Sequence, residues 1–479
     1  MTSDRGDTPA LPAYNAVPFT AYEHITAFLR DAETENLLQG QSPDETVRVD
    51  AIARLLSQLG HPNRAYRSIH VTGTNGKTTV SRMLSALLHA AGLKVGLYTS
   101  PRIGHPHHCI CIDGRPISEQ EFVDACNQLR PYMDWEGIKL SPFEFSTVAA
   151  FFAFRLAKVD YAVIEVGIGG RRDATNILAP DIAVITNVAA DHQDILGHSL
   201  EAIATEKAGI IKPFTPVICG AREGTPRTVI EAVAAQLHAP VRLFGRDYDI
   251  GPVRMEATST SGAVHIGSTS WPELTLQAPG PFMTANAAHA LAAFDLLTQR
   301  GHVNALRTEQ VQHLFATMRP TDWCEFIDGH PPLLIDGAHN AAAMAALAFT
   351  VRTVWERYRP IFVIAIPADK DHRTILHQLV STHASRVLFT RCPSLHCIDP
   401  HVLARDWVTM TSAAADVVQD PASAMTQALA TAGPDQIVVV SGSLHLAHLS
   451  RSLMSPTRGH GSQPLPPVDH SPLSAPAHR

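Results

Sequence analysis

The stretch Ile69-His-Val-Thr-Gly-Thr-Asn-Gly-Lys-Thr-Thr79 limits what this chain can fold into more than any other. A short apolar run enters a turn carrying Gly73 and Gly76, after which Val80, Met83, Leu84, Leu87, Leu88 and Ala91 recur on one helical face. Strand, glycine turn and helix in that order present backbone N–H groups at a helix N-terminus, where an anion is favoured. In such a cradle Lys77 reaches the outer phosphates and the Thr78 hydroxyl can bind Mg²⁺, with Thr74, Asn75, Gly76 and Thr79 completing the nucleotide contact. The general P-loop pattern wants its first glycine where this chain has Val71, so the loop is a variant. ATP use is the first expectation.

With 479 residues the chain is too long for one ordinary core, and two domains plus tails are expected. A formal net charge of -7 offers no basic stripe for nucleic acid. No run approaches the roughly 18 uninterrupted apolar residues of a membrane helix. Seven cysteines, odd in number and scattered, do not read as a disulfide framework. A soluble cytoplasmic monomer is therefore expected. The group His105-Pro-His107-His108-Cys109-Ile-Cys111 collects soft metal ligands, but no second pair follows at zinc-site spacing, so it reads as a polar loop entering the strand Cys109–Ile112.

Residues 1–20 read as a loose arm and 454–479 as a disordered tail rich in Ser, Pro, His and Gly. Helical spacing runs from Ala21 to Phe28 and from Val47 to Leu59, the second opened by Ser42-Pro43-Asp44-Glu45. Lys94–Tyr98, Tyr161–Val166 and Ile182–Thr186 are near-continuous apolar runs, the mark of parallel strands covered on both faces. Ser100, Glu165 with the glycines after it, and Asn187, Asp191 and His192 all follow such strands. In an open parallel sheet, ligands sit at the carboxyl ends of the strands, so these groups are expected at one site with the phosphate loop. From Val241 to Gln277 the pattern alternates, which predicts antiparallel strands added to the sheet's edge. The fold class is thus α/β: a P-loop-type, mostly parallel ATPase domain over 21–300, then a smaller Rossmann-like domain over 301–453. Strands of the second are expected at Leu333–Ile335, Ile361–Ile366, Arg386–Phe389 and Gln436–Val440.

Six motifs, in order, carry a family resemblance: His70-Val-Thr-Gly-Thr-Asn-Gly-Lys-Thr-Thr79, Gly96-Leu-Tyr-Thr-Ser-Pro101, Glu165-Val-Gly-Ile-Gly-Gly-Arg-Arg-Asp-Ala-Thr-Asn176, Ile185-Thr-Asn-Val-Ala-Ala-Asp-His-Gln-Asp-Ile-Leu-Gly197, Glu206-Lys-Ala-Gly-Ile-Ile-Lys-Pro213 and Asp336-Gly-Ala-His-Asn340. From about Tyr22 to Leu453 the chain resembles the folylpolyglutamate synthase and dihydrofolate synthase family of the Mur ligases. The resemblance implies that Thr78, Ser100 and Glu165 serve one Mg²⁺, that Glu165 and His192 serve a second, and that Lys207 carries a carbamate. It implies that Asp336 contacts the ribose, that His339 and Asn286 lie at the nucleotide, and that Lys77, Lys207 and His192 do the catalytic work. The reaction it implies adds L-glutamate to a pteroate or folate carboxylate through an acyl phosphate, at the expense of ATP. A ligase of the same mechanism acting on another acid, and a catalytically silent nucleotide-binding relative, are the alternatives.

The chain departs from that family at several positions. Ser100-Pro101-Arg102-Ile103 stands for Ser-Pro-His-Leu, Arg319-Pro320-Thr321-Asp322-Trp323 loses an arginine expected near the phosphates, and Met283 replaces a glutamine ahead of Asn286. Arg102 is the nearest cation in sequence to the catalytic edge and is expected to face the acyl phosphate or the acceptor's carboxylate.

Overall fold

The computed structural model describes residues 18–38, 49–100, 104–135, 140–318, 324–393 and 397–454. The arm up to residue 17, the start signal at 42–45, the junction 319–323 and the tail beyond 454 lie outside the described residues.

Among these residues the strands form three sheets. The first contains β1 (Arg67–Thr72), β2 (Val95–Tyr98), β3 (Ile110–Ile112), β4 (Arg115–Pro116), β5 (Tyr161–Glu165), β6 (Ile182–Ile185), β7 (Val217–Cys219) and β8 (Val241–Leu243), in the order β4-β3-β2-β5-β1-β6-β7-β8. From β2 to β8 every neighbouring pair is parallel, and the β3–β4 hairpin closes one edge antiparallel. The apolar runs are buried throughout because both faces are covered. Alternate residues of β5 show this: Tyr161 and Val163 pack with the helices Lys77–Ala90 and Pro281–Gln299, whereas Ala162 and Ile164 pack with the helix Pro142–Ala157. That last helix opens with a capping box, Ser141 Oγ accepting from Glu144 N–H and the Glu144 carboxylate accepting from Ser141 N–H.

The expectation for Val241–Gln277 needs correction. Val241–Leu243 is the parallel edge strand β8, and the alternating segments β9 (Tyr248–Met255), β10 (Thr260–Ile266) and β11 (Thr269–Leu276) form a separate antiparallel sheet packed on the helix Pro281–Gln299. The chain leaves the main sheet at Arg246-Asp247, where Asp247 Oδ2 accepts from Leu243 N–H. Alternation reports that one face is covered, here through Val264, Ile266, Leu274 and Leu276, and says nothing of what covers it.

The second body is built on β12 (Glu325–Ile327), β13 (Leu333–Ile335), β14 (Arg359–Ile364), β15 (Arg386–Phe389), β16 (Asp416–Val417) and β17 (Gln436–Ser441), ordered β12-β13-β17-β14-β15-β16, with only β12 antiparallel. The helix Thr308–Thr317, beyond Gly301, packs against β11 and the helix Lys77–Ala90.

Candidate active site

Because β1, β2, β5 and β6 run parallel, their carboxyl ends bring Gly73, Ser100, Glu165 and Thr186 to one edge. The loop Gly73–Gly76 is stitched to the end of β6. Asn75 N–H donates to Asn187 Oδ1 at 2.9 Å, Thr186 Oγ1 donates to Asn75 O at 2.6 Å, and Thr74 N–H donates to Asn187 O at 3.1 Å. Gly73 and Gly76 are required: both hold positive φ, an added Cβ at Gly73 would stand 1.9 Å from Thr186 Oγ1, and one at Gly76 would stand 2.4 Å from Asn286 Oδ1. Asn286 therefore lies against the loop, from the buried face of Pro281–Gln299. Met283, on the same helix, is buried in the main core.

Lys77 opens the helix and folds its ammonium back over the loop, donating to the carbonyls of Gly73 and Thr74. Thr79, two residues on, is buried in the helix's first turn. Thr78 Oγ1 donates to Glu165 Oε1 at 2.9 Å, and Ser100 Oγ donates to Val166 O at 3.2 Å. Glu165 is fully buried, and its Oε2 has no hydrogen-bond partner. Burial pushes its carboxyl up to about 7 against the opposing pull of Lys77 and the Thr78 hydroxyl. A buried carboxylate oxygen left open beside a hydroxyl on a phosphate loop suits a hard divalent cation, which takes oxygen ligands and keeps several waters. Among the described residues no three His, Cys, Asp or Glu side chains converge on a metal position. The hydroxyl and carboxylate donors here are oxygens, which fit Mg²⁺. At 105–111 a short 3₁₀ turn, Pro106–Cys109, leads into β3, and the His105, His107 and His108 rings pack on one another.

Lys207 ends the helix Leu200–Ala208 and enters the site from below, its Nζ donating to Gly73 O at 2.8 Å. Burial first, and Lys77 second, push its ammonium down to about 7. The preceding residue, Glu206, is held outward by Arg171 and Arg172.

His192 sits in the left-handed region at φ 48 and N-caps a short helix. Its Nε2 lies 3.3 Å from Lys370 Nζ and its Nδ1 3.8 Å from Asp369 Oδ2, and burial lowers its pKa to about 4. From the second body, Asp336 follows β13 with both carboxylate oxygens accepting backbone N–H, from Cys324 and Ala338, and burial raises its pKa. His339 Nδ1 bonds Gly337 O, and its Nε2 lies 3.9 Å from Asp191 Oδ2.

Sequence reading placed Asn187 at this edge but missed Lys370, Asn340 and Thr186. Lys370 bridges to Asp191 from the loop after β14, Asn340 bridges to Asp191 and Asn75, and Thr186 with Asn187 holds the loop. The signal for Lys370 was the charged pair Asp369-Lys370 at the carboxyl end of a strand, the same cue that pointed to Glu165. Arg102, Arg319 and Trp323 lie outside the described residues.

Comparison with known proteins agrees with this geometry. Residues 71–294 match the Mur ligase middle domain and 324–444 the Mur ligase glutamate ligase domain. The chain is 32% identical over 424 residues to folylpolyglutamate synthase of Lacticaseibacillus casei, covering 84% of this chain and 93% of that protein. It is 33% identical over 393 residues to the dihydrofolate synthase/folylpolyglutamate synthase of Mycobacterium tuberculosis, covering 78% and 80%. Among solved structures, Mycobacterium tuberculosis folylpolyglutamate synthase complexed with ADP superposes with a TM-score of 0.82 at 29% identity, over 91% of this chain and 99% of that one. Escherichia coli FolC in complex with DHPP and ADP gives 0.79 at 26% identity, over 91% and 98%. With the phosphate loop, the buried acidic residue and both family domains in place, the chain belongs to the folylpolyglutamate synthase/dihydrofolate synthase family of the Mur ligases.

Proposed function

We propose that this protein is an ATP-dependent ligase that joins L-glutamate to the carboxylate of a pteroate or folate, forming an amide and releasing ADP and phosphate. The observation that carries the proposal is Glu165: a fully buried carboxylate with one oxygen bonded to Thr78 and the other unpartnered, at the mouth of a phosphate loop. A catalytically silent nucleotide binder has no use for that arrangement.

In this reading the loop N–H groups and Lys77 hold the β- and γ-phosphates of ATP and keep them in line with the acceptor's carboxylate. Thr78, Ser100 and Glu165 would hold Mg²⁺, which would offset phosphate charge when bound. Transfer of the γ-phosphoryl group to the acceptor carboxylate yields an acyl phosphate and ADP. The amine of glutamate then attacks the acyl carbon and expels phosphate, with its proton passing to solvent or a nearby base. Positioning and charge compensation dominate such chemistry, which is why the site needs few side chains. Asp336 and His339 face the nucleotide from the second body.

Two finer elements belong to the same reading. Lys207 carries a carbamate: a lysine reacts with CO₂ only when neutral, and its burial makes the neutral amine accessible near pH 7. A second Mg²⁺ would take Glu165 and His192, the latter kept neutral by burial and so with a lone pair to offer. ADP release, measured with dihydropteroate, tetrahydrofolate and unrelated carboxylic acids, each with and without glutamate, tests the function. Release that requires both a folate-type acid and glutamate is expected. Refusal of every pteroate and folate alongside ligation of another acid would hand the function to a ligase of the same mechanism on a different substrate.

A further inference from the structure

Asn340 occupies a position no nucleotide contact explains. Its Oδ1 accepts from Ala343 N–H at 2.9 Å, capping the helix Ala341–Val354. The same side chain is paired with the loop tip: its Nδ2 donates to Asn75 Oδ1 at 2.9 Å and Asn75 Nδ2 donates to its Oδ1 at 3.3 Å. Its Nδ2 also donates to Asp191 Oδ2 at 2.9 Å, and Asp191 in turn receives Lys370 Nζ at 2.7 Å. Asn340 is 3% exposed and Asp191 9%, so the bond between them is shielded from water. The backbone of Asn75 is held independently by Thr186 and Asn187. Its side chain is therefore free of any loop-building duty and, among the described residues, pairs with Asn340.

We propose that Asn340 is a positioning residue that couples the contents of the phosphate loop to the seating of the second body on Asp191 and Lys370. An anion drawn into the loop orders Asn75; Asn75 fixes the Asn340 amide, and the amide fixes Asp191, the anchor for Lys370. The chain of contacts is contiguous, and coupling between sites is reciprocal, so the seated second body also favours an ordered loop. The idea rests on the proposed function only in taking nucleotide as the loop's ligand.

Asn340→Ser separates this role from helix capping, since serine caps as well as asparagine but has no amide to bridge Asn75 and Asp191. Asn75→Ala removes the same link from the other end and leaves the backbone bonds of the loop in place. ADP affinity is measured for the full-length wild type, both single variants and the double variant, together with amide hydrogen exchange at residues 367–371 with and without ADP. Each single change is expected to weaken ADP about 5- to 100-fold. The double variant should be no weaker than the worse single one, and ADP should cease to protect 367–371 while still protecting the loop. Independent effects that multiply in the double variant, unchanged protection at 367–371 in Asn340→Ser, or a melting temperature lost in step with affinity would each overturn the coupling. These readouts need ADP and no acceptor acid. A wild type that binds ADP but ligates nothing removes the ligase reading and leaves the coupling standing, whereas a wild type that binds no ADP removes both.

Discussion

Lys370 Nζ lies 2.7 Å from Asp191 Oδ1, and each side chain is only 6% exposed. The contact joins a loop after β14 of the second body to one after β6 of the first sheet, at the point where His192 and His339 also meet Asp191. Burial alone would push Asp191 up, but Lys370, His192 and His339 outweigh it and hold its carboxyl well below the usual range.

Replacing Lys370 with Met leaves that carboxylate buried with its main cation gone. A loss of about 3–5 kcal/mol is expected for breaking one side of such a pair. A carboxylate with a depressed pKa stabilises the fold above its unfolded value and loses that contribution as pH falls through its folded value. Without Lys370 the folded value rises, so the variant should also unfold at a higher pH on acid titration. Denaturant unfolding at neutral and acidic pH checks both parts; an unchanged midpoint at both would remove the pair from the stability of the molecule.

Lys77→Ala removes the ammonium that lies over the Gly73 and Thr74 carbonyls. Losing one placed charge in a site of this kind costs on the order of 3–4 kcal/mol of transition-state stabilisation. Steady-state ADP release should fall at least several hundred-fold while the circular dichroism spectrum and melting temperature hold. Near-normal turnover would place the nucleotide elsewhere.

Lys207 gives a pH-dependent prediction. With CO₂ excluded, so that Lys207 is a free amine, its folded pKa of about 7 against an ordinary 10.5 means that the fold bears the full cost of burying an ammonium below pH 7, a cost relieved as pH rises toward 10.5. The gap corresponds to at most about 5 kcal/mol. Lys207→Met should therefore be more stable than wild type at pH 6, with the advantage shrinking by pH 9, and yet be inactive. Lys207→Ala should regain part of its activity with added short-chain carboxylic acids. Full activity in either variant without such acids would remove the carbamate.

Glu165→Gln fills the same space without the charge. Glu165 has a folded pKa raised to about 7, so above pH 7 the wild type holds a buried carboxylate, and without Mg²⁺ the glutamine variant should melt at a higher temperature. Adding Mg²⁺ with ADP should raise the wild-type melting temperature and leave that of the variant nearly where ADP alone puts it. Equal Mg²⁺ shifts in both would move the cation away from Glu165.

The elements nearest the chemistry were the most legible in the sequence. The runs at β2, β5 and β6 announced buried parallel strands because both faces are apolar, and the polar residues at their ends then fell on one edge by topology alone. Residues whose meaning depends on the other body were hidden. Asn340 reads as a helix cap, and the Asp369-Lys370 pair marks only a strand end, until Asn75 and Asp191 of the first body are seen to meet them. The separate sheet β9–β11 was hidden for a related reason: its partner is a helix that begins only after the strands end.

Thr186 and Asn187 carry a consequence for engineering. They follow a neighbouring strand, yet the carbonyl of Asn75 accepts from both side chains, and Gly73 clears Thr186 Oγ1 only because it lacks a Cβ. The loop is thus half of a two-part joint rather than a portable cassette. Grafted into another sheet without Thr186 and Asn187 it would carry its glycines and its lysine but lose its shape, and a standard P-loop transplanted here would find two hydrogen-bond donors waiting at the wrong height.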